Sequence, residues 1–117
     1  MDDETSLTHY LSLVIKKFDP SIKVRTAAGP VSAEEEFKLH APFDLIVTDV
    51  EMQSVTGPNI LRANQRYVGK SKIVVLSCLD VAERNANELK DDGFNVVCSI
   101  LKPVYPDGFR NLLRATL

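Results

Sequence analysis

Residues Phe43 to Gly57, FDLIVTDVEMQSVTG, decide how the rest of the chain is read. Leu45, Ile46 and Val47 form a short apolar, β-prone run between polar and turn residues. A strand buried on both faces of a parallel sheet reads this way. The run ends in a carboxylate, Asp49. Side chains at the carboxyl end of a strand in an open α/β sheet face the crevice where ligands bind, so Asp49 is placed for chemistry.

Upstream of this stretch, Leu7, Tyr10, Leu11, Val14 and Phe18 recur at helical spacing, and Asp19-Pro20 ends that helix. Ile22 to Ala27 alternates apolar and polar residues and predicts a strand. Gly29-Pro30 is a turn, and Ser32 with Glu35 predicts a capping box opening a short helix to about His40. Downstream, Gly57-Pro58 opens a helix with Ile60 and Leu61 on its buried face. Ile73 to Leu76 predicts a strand ending at Ser77, and Val81 to about Asp92 a helix stopped by Gly93. Val96 to Leu101 predicts a strand closed by Lys102-Pro103, and Phe109, Leu112 and Leu113 mark a short final helix. The order α-β-α-β-α-β-α-β-α predicts an α/β fold, a parallel sheet with helices on both faces. Asp49, Ser77 and Lys102 stand at the ends of three different strands, and in such a fold they converge on one edge.

A chain of 117 residues suits one domain, residues 1–117, with no output domain attached. Its 44% hydrophobic and 26% charged residues are those of an ordinary globular protein. The net charge of −2 gives no electrostatic case for nucleic acid or an anionic membrane. No apolar run approaches a membrane span, and the acidic start is unlike a signal peptide. Cys78 and Cys98 lie in strand-like contexts and predict buried, reduced thiols in a cytoplasmic protein. His9 and His40 are isolated on helices and are expected at the surface.

A carboxylate, a hydroxyl, an ammonium group and the acidic cluster Asp2, Asp3, Glu4 suit phosphoryl transfer onto an aspartate. Asp49 would be the nucleophile. Asp2, Asp3 and Asp49 would hold Mg²⁺, which prefers oxygen ligands. Lys102 and Ser77 would bind the remaining phosphoryl oxygens, since such transfers rest on positioning and charge neutralisation.

Over nearly its full length the chain resembles the receiver domain of two-component response regulators. The matching residues are Asp2-Asp3 before the first helix, Asp49 after an apolar strand, Met52 and Gly57 behind it, Ser77, and Lys102-Pro103. The resemblance implies a flavodoxin-like (CheY-like) sandwich with strand order 2-1-3-4-5, and phosphorylation of Asp49 by a histidine kinase or histidine phosphotransfer protein. It also implies a Mg²⁺ site at Asp2, Asp3, Asp49 and the backbone carbonyl of Glu51, a switch hydroxyl at Ser77, and phosphate binding by Lys102 before a cis-proline bond. Such a domain is no turnover enzyme.

The family's first strand is the departure, because Met1 stands where that strand's last residue belongs. Residues upstream of Met1, a strand-donating partner or second copy, or a sheet closed up over the gap would each answer it. The α-amino group then lies beside Asp2 and Asp3, and at its ordinary pKa of about 8 it would weaken Mg²⁺ binding. Gln53 replaces a usual proline and is expected to loosen the loop behind Asp49. Ser99 replaces a usual aromatic and breaks its coupling to phosphorylation. Output would then run through a partner, on the face made by the Val81–Asp92 helix, the last strand and the final helix. Two other functions fit the same residues: a degenerate receiver that is a phosphorylation-independent interaction module, and a phosphohydrolase using Glu51 as acid/base.

Overall fold

The computed structural model describes residues 1–52, 55–78 and 80–117. Three parallel strands, β1 (Leu45–Asp49), β2 (Lys72–Ser77) and β3 (Asn95–Leu101), form one open sheet in that order. Around it lie α1 (Thr5–Phe18), α2 (Pro30–His40), α3 (Gly57–Ala63), α4 (Gln65–Val68), α5 (Ala82–Asp91) and α6 (Pro106–Thr116).

The middle strand shows why the sheet is a filling between two layers. Ile73, Val74, Val75 and Leu76 are all essentially inaccessible, and neighbouring side chains on a strand point to opposite faces. Ile73 and Val75 pack with Phe37, Ile60, Leu61 and Leu89 from α2, α3 and α5. Val74 and Leu76 pack with Leu11, Val14, Phe109 and Leu113 from α1 and α6. The alternating pattern of β2 thus builds two cores. Gly57, at the start of α3, has a backbone reason, since a Cβ there would overlap Asp49 O and Thr48 Oγ1.

The predicted strand at Ile22–Ala27 does not form. Its alternation is real, but a strand needs a ladder partner, and among the described residues none pairs with β1 on the side away from β2. Only the tip of that position is filled. Met1 N donates to Val47 O (2.6 Å) and Asp49 N donates to Met1 O (2.9 Å). That is the pattern of a parallel bridge between Met1 and Thr48. Asp2 N then donates to Ala27 O (3.1 Å) on the far side. Behind Met1 an open groove of about 1530 Å³ runs between β1 and residues 22–26, lined by Leu11, Ile15, Val24, Leu45 and Val47 among others. Leu45 and Val47 are left half-buried, where Val74 and Leu76 one strand over are fully covered. The sheet has not closed up over the gap.

Smaller differences are local. α2 begins at Pro30, so Ser32 is not its cap. From the first turn its hydroxyl accepts the Ala28 and Gly29 N–H groups (3.1 and 3.2 Å). The helix after Gly57 breaks at Asn64, whose side-chain amide donates to Ile60 O, and resumes as α4. The cysteines are both free, but the prediction that both are buried fails: Cys98 is half-buried, and Cys78, one residue past β2, is exposed. Gly93 ends α5 with φ +95°, in the left-handed region that glycine enters without a Cβ penalty. The Lys102-Pro103 bond is cis.

The groove is shaped for one more parallel strand. Each apolar side chain it covered would contribute about 1.5–3 kcal/mol, against an ordering cost of about 1–2 kcal/mol per residue. Five residues of Val, Ile and Leu fused directly before Met1 should therefore raise the urea midpoint. A Ser/Lys extension of equal length should not. Equal midpoints for the two extensions would show that the groove does not accept a strand.

Candidate functional site

The ends of the three strands meet where the sequence places the chemistry. Asp49 ends β1, Ser77 ends β2, and Lys102 follows β3. Lys102 N donates to Ser77 O (2.8 Å), which fixes the lysine beside the serine. Its Nζ lies 3.1 Å from Asp49 Oδ1 and 3.4 Å from Asp2 Oδ2. Asp49 is 3% exposed and Ser77 is fully buried.

The acidic pair arrives by another route. The Met1 bridge carries Asp2 over the end of β1, where it is buried. Asp2 Oδ1 accepts the Glu4 N–H (2.9 Å) just before α1. Asp2, Asp3 and Asp49 offer carboxylate oxygens all within 4.8 Å of one another. Two oxygens bound to one Mg²⁺ at about 2.1 Å lie at most about 4.2 Å apart, so slight closure makes this trio a hard-oxygen ligand set. Asp49 Oδ1 supports the fit. It is buried, and the Lys102 ammonium 3.1 Å away is its one partner among the described residues.

The electrostatics follow from burial. Loss of solvent is the main cause that pushes the Asp49 carboxyl up to about 6, with Asp2 and Glu51 adding repulsion and Lys102 pulling the other way. Burial works against the Lys102 charge too. The Asp49 and Asp2 carboxylates outweigh it and hold the ammonium above its ordinary value. The expected cationic amino terminus is corrected here. Burial lowers the Met1 amine to about 6 despite the nearby Asp2 and Asp49, so at neutral pH it is mostly uncharged. It therefore opposes a cation at Asp2 and Asp3 far less than an ordinary amine would.

Glu51 takes part differently from the expectation. Its carboxylate is engaged: Ser77 Oγ donates to Glu51 Oε1, while Oε2 is buried with no hydrogen-bond partner among the described residues. The signal for this was its spacing, since residues two apart continue one face of a strand. Gln53 lies outside the described residues. Ser99 is half-buried on β3, and His9 and His40 are exposed.

The chain matches the family described as response regulator receiver domain over residues 1–114. No curated protein matches it in sequence. Among solved structures, chemotaxis protein CheY4 of Vibrio cholerae is 26% identical, with a TM-score of 0.78 over 99% of this chain and 93% of that one. The N-terminal domain of an uncharacterised Wolinella succinogenes protein is 28% identical, with a TM-score of 0.77 over 97% and 86%. Response regulator TrrA of Thermotoga maritima, in complex with Mg²⁺-BeF, shares the fold at 17% identity, with a TM-score of 0.76 over 99% and 94%.

The raised Asp49 pKa has a definite sign for stability. Between its ordinary 3.8 and about 6 the folded chain holds a proton that the unfolded chain has lost, so stability falls as pH rises through that window. Without added divalent cation, Asp49→Asn should be more stable to urea than the wild type at pH 7.5, by up to about 3 kcal/mol. The advantage should fade by about pH 4. The Met1 amine also adds stability as pH rises between about 6 and 8 in both proteins, and Asp49→Asn removes one of the carboxylates that raise its pKa, so its contribution differs between them only by that one coupling. A pH-independent difference would contradict the assignment.

Proposed function

The chain belongs to the response regulator receiver domain family, and from that premise we propose that it takes a phosphoryl group onto Asp49 in phosphorelay signalling. The observation that carries this reading is one ammonium, Lys102, held 3.1 Å from Asp49 and 3.4 Å from Asp2 at the meeting of three strand ends. A histidine kinase or histidine phosphotransfer protein is the donor.

Above about pH 6 Asp49 is mostly ionised and able to attack phosphorus. A carboxylate oxygen forms the new P–O bond, and the bond to the donor's leaving group breaks with its electron pair going to that group. Lys102 neutralises charge on the transferred oxygens and orients them, and the Ser77 hydroxyl donates to one of them. Asp2, Asp3 and Asp49 would hold Mg²⁺, which supplies charge neutralisation at the phosphoryl oxygens. One equivalent is taken per chain, so the protein is an acceptor and not a turnover enzyme. No helix among the described residues is long and apolar enough to cross a membrane, and a cytoplasmic location fits the proposed donors. The output face is α5, β3 and α6, which carries exposed Val97, Leu101 and Tyr105 around its edge.

The open groove favours a second reading, an interaction module that completes its sheet with a partner's strand or a second copy and needs no phosphorylation. The two are separated by intact mass after incubation with Mg²⁺ and acetyl phosphate. The expected result is a gain of one phosphoryl group, lost in Asp49→Asn, slowed at least about tenfold in Lys102→Ala and abolished by a chelator. No gain in a wild-type chain that unfolds cooperatively would overturn the first reading and leave the second.

A further inference from the structure

Ser77 is fully buried at the end of β2, and its hydroxyl hydrogen goes to Glu51 Oε1. A hydroxyl has one hydrogen to give. The other oxygen of the same carboxylate, Glu51 Oε2, is buried with no hydrogen-bond partner among the described residues. A buried carboxylate satisfied on only one oxygen is costly to keep in place, so its remaining bond to Ser77 is what ties it to the site. Asp49 stands two residues before Glu51 and pairs in register with Leu76, the neighbour of Ser77. An anion attached to Asp49 therefore competes with Glu51 for the single Ser77 hydrogen.

We propose that Glu51 is a positioning residue: by holding the Ser77 hydroxyl it withholds that donor from a phosphoryl group on Asp49, and phosphorylation must displace it. This rests on Asp49 being the acceptor. The displaced carboxylate belongs to the segment leading from β1 to α3, so the exchange at Ser77 moves the start of that connection. The coupling is local. It needs no aromatic on β3, where Ser99 stands. It also gives Glu51 a role other than proton transfer, since its carboxylate faces the switch hydroxyl and is engaged by it.

The test is a double-mutant cycle on the full chain: wild type, Glu51→Ala, Ser77→Ala and the double variant, with Glu51→Gln as a neutral acceptor of similar shape. Two quantities are read, the rate of Asp49 phosphorylation by acetyl phosphate with Mg²⁺ and the affinity for Mg²⁺ with beryllofluoride. Removing Glu51 should accelerate phosphorylation and tighten beryllofluoride by about tenfold, the scale of one charge-assisted hydrogen bond. The gain should vanish in the Ser77→Ala background, and Glu51→Gln should fall between wild type and Glu51→Ala. A gain of equal size with and without Ser77 would mean that Glu51 acts only by charge repulsion, overturning this inference while Asp49 remains the acceptor. So would an unchanged or slower Glu51→Ala, provided urea unfolding shows it folded. Failure of every variant to accept a phosphoryl group would overturn the acceptor reading and this inference together.

Discussion

Two backbone hydrogen bonds, Met1 N to Val47 O and Asp49 N to Met1 O, hold the acidic turn to the sheet. Much of the site's geometry depends on them. They set Met1 across from Thr48, which puts Asp2 over the end of β1 and lets its own N–H reach Ala27 O. One bridged residue therefore joins the start of α1, the extended 22–27 segment and the strand that carries Asp49. A full ladder would distribute this task over several bonds and bury Leu45 and Val47 at the same time. Among the described residues the task falls on a single bridge.

The charge distribution explains why such a site is poorly stable on its own terms. Asp2 and Asp49 meet the Lys102 ammonium, Asp3 and Glu51 lie beside them, and the Met1 amine that could have offset these carboxylates is lowered to about 6 by its burial. Carboxylates removed from water and from cations drift toward their neutral forms, and Asp49 does so. The arrangement makes sense as a receptor for positive charge and for the anion that accompanies it. It does not make sense as a stabilising network, since a buried charge must be compensated to be worth its desolvation.

Much of this could be read from the sequence, for physical reasons. The run Ile73–Leu76 is apolar because it is covered on both faces, Leu45–Val47 is covered fully on one face only, and their polar ends meet because strands of one direction finish together. Periodicity could not reveal that Ile22–Ala27 lacks a partner, because alternation describes a strand's faces and says nothing of its edges. Cys78 looked buried because it adjoins an apolar run, yet the strand ends one residue earlier. Ser32 had the composition of a cap, but Pro30 already fits the first turn and the helix begins there. Glu51 was visible as a residue two places beyond the acceptor. Its bond to Ser77 was not, because the two meet only after β1 and β2 have paired.

The two halves of the site are held with unequal firmness, and the inequality has one origin. Ser77 ends β2, the strand with complete cover on both faces. Lys102 is pinned to it through Ser77 O, and the backbone beyond Asp49 is pinned through Val50 N to Leu76 O (2.9 Å). Asp49, Ser77 and Lys102 thus share the well-packed centre of the molecule. Asp2 and Asp3 come from the side bordering the groove, where one residue stands in for a strand. Packing density governs how well a position is defined, so Ser77 and Lys102 are set by the core. Asp2 and Asp3 are set by the Met1 bridge, and what fills the groove behind Met1 bears on them before it bears on Ser77 or Lys102.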